Sequence, residues 1–389
     1  MEVENVLIGQ FCETYPPSLD GVGRVMAAYC ENLTRKGHRS LYIAPENPAF
    51  PDESISFETV LYKGITIPGQ AYRMGLPRLT RSFRKATKEL PFDVVHAHSP
   101  FFAGREARRL ARATGAPVVA TFHSKYYEDF YKATASRTLA KFGVAFALRF
   151  LHSCDEVWAV NDKSAQVLRG YGFKGEIVTM PNGTNPLSVT PADREAMLSR
   201  YPALQKNVPT FMFAGQMDYK KNVAAIFQAC ALLMEEGMDF RLIMAGDGPN
   251  MKGIQALCRE LGLAERTLFT GFINDHLLLL SLFERADLLV FPSIYDNAPM
   301  VVREAAAMGT PALLVEGSCS AEGIIHNGNG FLCQNAPESI AQCIQAALPQ
   351  CVSVGEKARA TIPIPWDQIM AQVLERYQSL IAKKAAHKH

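Results

Sequence analysis

Asp296 and Glu304 stand eight residues apart in the segment Phe291-Pro-Ser-Ile-Tyr-Asp-Asn-Ala-Pro-Met-Val-Val-Arg-Glu-Ala-Ala-Ala-Met-Gly-Thr-Pro311. The segment reads as strand, loop, helix, then turn into the next strand. Two carboxylates flanking a helix N-terminus can accept sugar hydroxyls while the intervening N–H groups take a phosphate. The plainer alternative is that Asp296 caps the helix and Glu304 faces solvent. His123 ends an apolar run, Pro117–His123, where a ligand-facing imidazole and a satisfied core histidine compete. His96 and His98 share one face of a strand, but no neighbouring carboxylate or cysteine completes a metal site. Gly21 to Arg24 opens a helix whose first N–H groups can face a diphosphate.

Two familiar nucleotide signatures are absent. Gly21-Val22-Gly23 lies about a dozen residues past the first strand and lacks the third glycine of a dinucleotide fingerprint. Gly246-Asp247-Gly248-Pro249 follows a strand directly, yet Pro249 breaks the same pattern. No Walker A run exists. Hydride transfer is therefore disfavoured.

Positioning such residues falls to short apolar runs that alternate with amphipathic ones. Expected strands in the first half are Val3–Gly9, Ser40–Ala44, Val94–His98, Pro117–His123, Glu156–Val160 and Ile177–Met180. The second half offers Thr210–Ala214, Arg241–Ala245, Thr267–Thr270, Leu288–Phe291 and Pro311–Val315. Strand–helix alternation predicts parallel sheets with helices on both faces, an α/β protein of two doubly wound domains. The divide falls at Pro181-Asn-Gly-Thr-Asn-Pro186, giving domains 1–185 and 186–365. A last helix, 366–383, carries Ile369, Val373, Leu374, Tyr377 and Leu380 at helical spacing and needs a docking surface, expected on the amino-terminal domain. Ligands of such sheets bind beyond the carboxyl ends of the strands, so the expected site is a cleft between the two.

Composition sets the outer limits. The 389 residues hold 40 Lys and Arg against 38 Asp and Glu, which implies no polyelectrolyte role. Between Lys63 and Arg149, however, 16 basic residues face 5 acidic ones. Arg73, Arg78, Arg81, Arg84, Lys85 and Lys88 interleave with Tyr72, Met74, Leu76, Leu79 and Phe83, a pattern that suits an anionic membrane surface or a plain solvated face. No nucleic-acid signature accompanies the charge. Nine cysteines, none in a C-x-x-C pair, argue against structural zinc and place the chain in a reducing compartment. No run approaches the ~20 apolar residues of a membrane span.

The motifs taken together resemble those of the retaining GT-B glycosyltransferases of glycosyltransferase family 4, the group 1 transferases. The Asp296–Glu304 segment looks like that family's E-x7-E region. Asp20-Gly-Val-Gly23, Thr121-Phe-His123, Pro181-Asn-Gly183, Gly215 followed by Lys221, and Gly246-Asp-Gly-Pro249 occur in the family's order. The resemblance implies a donor site in which Gly21 and Gly23 approach the diphosphate, His123 contacts the transferred sugar and Lys221 neutralises the leaving group. Asp296 would then bind sugar hydroxyls, Met300 and Val301 the phosphate, Glu304 the ribose, and Gly271-Phe272-Ile273 the base, with Gln216 and Asn297 among the donor-binding positions. Three positions depart from the family pattern. Gln216 stands where an arginine is usual, Asp296 replaces a glutamate, and Pro299 replaces a glycine and so offers no N–H.

By activity, the resemblance implies a retaining hexosyltransferase using a nucleotide-sugar, UDP-sugar first, with no metal or other cofactor; the chain has no D-x-D run. Phe92-Asp-Val-Val-His-Ala-His98 and Thr121-Phe-His-Ser-Lys-Tyr-Tyr-Glu-Asp-Phe130 are similar to bacterial diacylglycerol glucosyltransferases. A membrane glycolipid is accordingly one expected acceptor, a soluble glycan or small molecule another. The expected location is the cytoplasm, at the inner membrane surface for a lipid acceptor. A non-catalytic nucleotide-sugar-binding scaffold, an epimerase and a phosphorylase are the alternatives on the same fold.

Overall fold

Strands of a parallel sheet are buried on both faces and so read as unbroken apolar runs. Two sets of such runs build two sheets in the computed structural model, which describes residues 5–15, 21–47, 56–66, 73–185, 188–205 and 208–386. Of the residues named above, Val3, Asp20, Tyr72 and Pro186 lie outside these. The chain divides into two units, Met1–Gly183 with Trp366–His389, and Thr184–Pro365.

In the first unit seven parallel strands run, edge to edge, Glu58–Tyr62, Arg39–Pro45, Leu7–Phe11, Val94–Ala97, Val118–Phe122, Glu156–Ala159 and Val178–Thr179. In the second, six run Thr267–Gly271, Arg241–Ala245, Thr210–Ala214, Leu288–Phe291, Ala312–Val315 and Phe331–Cys333. In both sheets the strand order reverses beside the first strand of the unit, which opens a crevice at the carboxyl ends of that strand and its new neighbour. Both are Rossmann-like. Phe211, Met212, Phe213, Leu288, Leu289 and Val290 are wholly buried in the second core, as are Leu41, Ile43, Val95 and Phe122 in the first.

Local chemistry ends the helices. Gly37, Gly237, Gly262 and Gly309 all have positive φ, the left-handed stop that a side chain resists. The segment with interleaved basic and apolar residues is not one element. Arg73–Gly75 pairs antiparallel with Gly64–Thr66, and Arg81–Lys88 is a helix that buries Phe83 and exposes its basic residues.

The last helix, Trp366–Ala386, packs on the first, Gly21–Arg35, and buries Trp366, Ile369, Met370, Val373, Tyr377 and Leu380. Arg376 clamps Glu156 through two hydrogen bonds, 2.6 and 3.1 Å, and Lys384 pairs with Asp155 at 2.8 Å. A Cβ on Gly183 would lie 2.4 Å from the Trp366 ring, so the glycine is needed where the chain passes under the helix.

Candidate functional site

In the second unit, the carboxyl ends of Thr210–Ala214 and Leu288–Phe291 flank the reversal point and carry most of the expected site. After Ala214 the chain turns at Gly215 (φ +155°), passes the half-buried Gln216 and forms a short 3-10 turn, Tyr219–Lys221. Two further glycines hold this loop. A Cβ on Gly246 would sit 2.0 Å from the Gly215 carbonyl oxygen, and one on Gly248 would sit 2.7 Å from the Met217 backbone. Backbone hydrogen bonds Met217 N–Asp247 O (3.1 Å) and Asn250 N–Met217 O (3.0 Å) lock the two loops together. The Gly-Asp-Gly-Pro motif is thus a brace for the Lys221 loop.

Lys221 Nζ donates to Asp296 Oδ1, and Ser293 Oγ donates to Asp296 Oδ2 at 2.6 Å. The lysine and aspartate side chains are 12% and 18% exposed, so the charge pair is largely withdrawn from water. Tyr295 lies beneath both lysines, its ring centroid 4.5 Å from Lys220 Nζ and 5.4 Å from Lys221 Nζ. Asn222, at φ +59°, turns the chain into helix Val223–Glu235, and its Nδ2 donates to Asn335 Oδ1 at 2.7 Å.

Asp296 therefore does not cap the following helix. That helix, Met300–Ala307, has Pro299 at its N-cap with no side-chain cap; Val302 N donates to Pro299 O at 3.3 Å, which leaves the N–H groups of Met300 and Val301 without intrahelical acceptors. Nor does Glu304 face solvent. It is 7% exposed, its Oε1 lies 3.3 Å from His276 Nε2, and its Oε2 is buried with no hydrogen-bond partner among the described residues. A buried carboxylate oxygen left unpaired costs free energy unless something fills the place. Asn297 is buried; Met300 and Val301 are half-buried. Gly271 (φ +67°) ends the strand Thr267–Gly271, with Phe272 exposed and Ile273 buried beyond it.

His123, Gly21 and Gly23 belong to the first unit, at the carboxyl side of its sheet. Gly21 is exposed and opens helix Gly21–Arg35, in which Gly23 is buried. His123 follows strand Val118–Phe122, its Nε2 2.9 Å from His98 Nδ1, and burial pulls its pKa down to about 3. The paired histidines His96 and His98 are engaged by neighbours. His96 meets Tyr377 Oη (2.6 Å) and Thr121 Oγ1 (2.7 Å), and His98 meets Gln10 Oε1 (2.9 Å) and His123.

Sequence reasoning missed Glu13. It lies just past strand Leu7–Phe11, where Oε1 accepts from Ala103 N (2.7 Å) and Ser99 Oγ (3.3 Å), and burial pushes its carboxyl up to about 7. Its place two residues beyond a strand's carboxyl end was the signal available. His276, the partner of Glu304, was missed because packing, not spacing, brings it there.

Similarity to known proteins now defines the class. The whole fold is shared with GT-B glycosyltransferases of known structure. Sucrose-phosphate synthase from Thermosynechococcus elongatus superposes with a TM-score of 0.83 at 20% identity, over 97% of this chain and all of that one. Anabaena HepE in complex with UDP-glucose superposes at 0.79 and 17% identity, over 96% of this chain and all of that one.

Residues 19–186 match the family model Glycosyltransferase Family 4, and residues 198–360 match Glycosyl transferases group 1. The chain belongs to this glycosyltransferase family. Its relatives include the alpha-monoglucosyldiacylglycerol synthase of Streptococcus pneumoniae, 26% identical over 79% of this chain and 70% of that protein. Another is the GDP-mannose-dependent alpha-(1-6)-phosphatidylinositol dimannoside mannosyltransferase of Mycobacterium tuberculosis, 25% identical over 86% of each.

Proposed function

We propose that this chain is a retaining hexosyltransferase that takes its sugar from a nucleotide-sugar without a metal ion. The observation that carries the reading is the buried Oε2 of Glu304, without a partner among the described residues, one turn into a helix whose N-terminus carries no side-chain cap. A ribose hydroxyl donating to that oxygen satisfies it, while a diphosphate accepts from the N–H groups of Met300 and Val301. Anabaena HepE, which shares the fold, was crystallised with UDP and glucose and with UDP-glucose, which supports a UDP-sugar as the first donor to test. Gly271, Phe272 and Ile273 would receive the base.

Lys221 supplies the cation for the leaving group. An ammonium has three donors; Asp296 takes one and fixes the direction of the others. Asp296, held in turn by Ser293, is assigned with Asn297 to the sugar hydroxyls. The bond between the anomeric carbon and the phosphate oxygen breaks as the acceptor oxygen attacks from the same face. The departing phosphate takes the acceptor's proton, so no side chain serves as nucleophile. Preformed charge at the leaving group is the main source of rate in such a scheme. In the first unit, Gly21 and Gly23 would approach the diphosphate and His123 would meet the transferred sugar.

The acceptor is assigned to the first unit, and a membrane glycolipid fits its surface. Helix Arg137–Leu151 exposes Leu139, Phe142 and Phe146 beside Arg137, Lys141 and Arg149, and Leu79 is exposed beside Arg78, Arg81 and Arg84. Apolar side chains ringed by cations suit an anionic bilayer surface, each cation worth about 1 kcal/mol there. No helix among the described residues is long and apolar enough to cross a membrane.

The test is a thermal-shift screen of UDP-, GDP- and ADP-sugars in chelator, followed by nucleoside diphosphate release for any that binds. Selective stabilisation with release supports the transferase. Binding with no release under any acceptor would instead indicate a scaffold. Cosedimentation with liposomes that ignores anionic lipid content would rule out the membrane surface.

A further inference from the structure

Among the described residues, Glu304 is held through one oxygen only. Its Oε1 meets His276 Nε2 at 3.3 Å, while Oε2 is buried and has no partner there. A carboxylate oxygen accepts, so the Nε2–H of His276 donates in this contact. His276 opens helix His276–Arg285, and Asp275 fixes that first turn, its Oδ1 accepting from Leu277 N (3.0 Å) and Leu278 N (3.2 Å). The helix buries Leu278 to Phe283 and packs on Met300–Ala307, the helix that carries Glu304. Strand Thr267–Gly271, whose end is assigned to the base, reaches His276 through Phe272 to Asp275. The imidazole is thus delivered from the base side of the second unit to the carboxylate beside the phosphate helix.

The two oxygens of a carboxylate are equivalent, and only an outside partner tells them apart. With Oε1 engaged by His276, the group keeps the one pose in which Oε2 is left for a ligand. Without the imidazole, neither oxygen has a partner among the described residues. A buried carboxylate with both oxygens unpaired is costly, so the side chain leaves that pose or draws in water. The pose itself carries discrimination. A site built to meet a hydroxyl disfavours a ligand lacking it, because the buried acceptor then stays unpaired.

We propose that His276 is a positioning residue that aims Oε2 of Glu304 at a ribose hydroxyl and so sets how strongly the site discriminates against a donor lacking that hydroxyl. The proposal rests on the reading of Glu304 as the ribose contact. His276 acts through the direction of that carboxylate and joins recognition of the ribose to the loop that receives the base.

The experiment is titration calorimetry in chelator on the full chain with UDP, 2′-deoxy-UDP and 3′-deoxy-UDP, or the same three of whichever base the nucleotide-sugar screen selects. The wild type should bind at least one deoxy analogue about ten- to a hundredfold more weakly than UDP, the worth of a hydrogen bond to a charged group. In His276→Leu that ratio should fall to within about threefold of one, chiefly through weaker binding of UDP. His276→Gln, whose amide donates over a similar reach, should keep most of it. The His276 side chain is 42% exposed, so neither change disturbs the core. A merely structural role would weaken all three ligands alike and leave the ratio where it was. Loss of the ratio in Glu304→Gln but not in folded His276→Leu overturns the positioning role alone. If the wild type binds all three alike, or Glu304→Gln keeps the wild-type ratio, the ribose reading of Glu304 has failed and the proposal fails with it.

Discussion

Lys221 and Asp296 sit seventy-five positions apart and meet at the reversal point of the second sheet. Replacing Lys221 with alanine removes the cation meant for the leaving group and should lower turnover by about 10²–10³, the usual cost of losing one preorganised charge-stabilising donor. Wild-type turnover in that variant would take Lys221 out of the site. Glu304→Gln keeps the bulk and loses one acceptor lone-pair set, so donor affinity should weaken about tenfold with little change in turnover. Titration calorimetry with the donor, or its KM, reads this directly. The acidic pair was visible in the sequence because its spacing across a loop–helix junction has a chemical meaning. Glu13, Gln10 and His276 were not, since a single polar residue in an apolar run carries no sign of what tertiary packing will set against it.

Among the elements, the parallel strands were legible because burial on both faces writes them as apolar runs. The edge strand Glu58–Tyr62 is only partly buried and gave no such run. Helices Tyr126–Thr134 and Arg137–Leu151 were hidden in the basic and aromatic stretch, where charge masked the period. The glycine loops were legible as motifs but not as braces. Gly246→Ala puts a Cβ 2.0 Å from a carbonyl oxygen and should cost a few kcal/mol, on the order of the strain of a forbidden backbone. A clear drop in melting temperature is expected; an unchanged one would mean that the loop bracing is slack.

The histidine cluster makes a further prediction about its strands. His96, His98 and His123 all have pKa values pulled below 6.5 by burial, so below that pH the unfolded chain takes up protons that the folded one refuses. Their stability is fully present above 6.5 and is lost as pH falls below it, for His123 down to about 3. Glu13, raised from 4.5 to about 7, works the other way, its stability fully present below 4.5 and lost as pH rises through 7. Three groups against one give a melting temperature that falls on acidification from pH 6.5 to 5. A flat profile there would contradict the burial of these histidines in the neutral form.

For the molecule as a whole, the last helix closes the first unit after the chain has built the second. Its six buried side chains remove enough apolar surface for roughly 10 kcal/mol, comparable to the net stability of a domain. A chain ending at Pro365 should therefore fail to give a folded first unit, while Leu380→Ala should only lower its melting temperature. A soluble, cooperatively melting first unit in the truncated chain would show the helix to be dispensable. Its apolar stripe showed in the sequence that it needs a docking surface. Which residues it would touch was beyond the sequence, because Tyr377 finds His96 across 281 positions.

The central claim is transfer from a nucleotide-sugar without a metal, and release of nucleoside diphosphate in the presence of chelator measures it. Release from a UDP-sugar by the wild-type chain, greatly reduced in Lys221→Ala and accompanied by weaker donor binding in Glu304→Gln, is the predicted result. No stabilisation by any nucleotide-sugar, or release that Lys221→Ala leaves untouched, would contradict it.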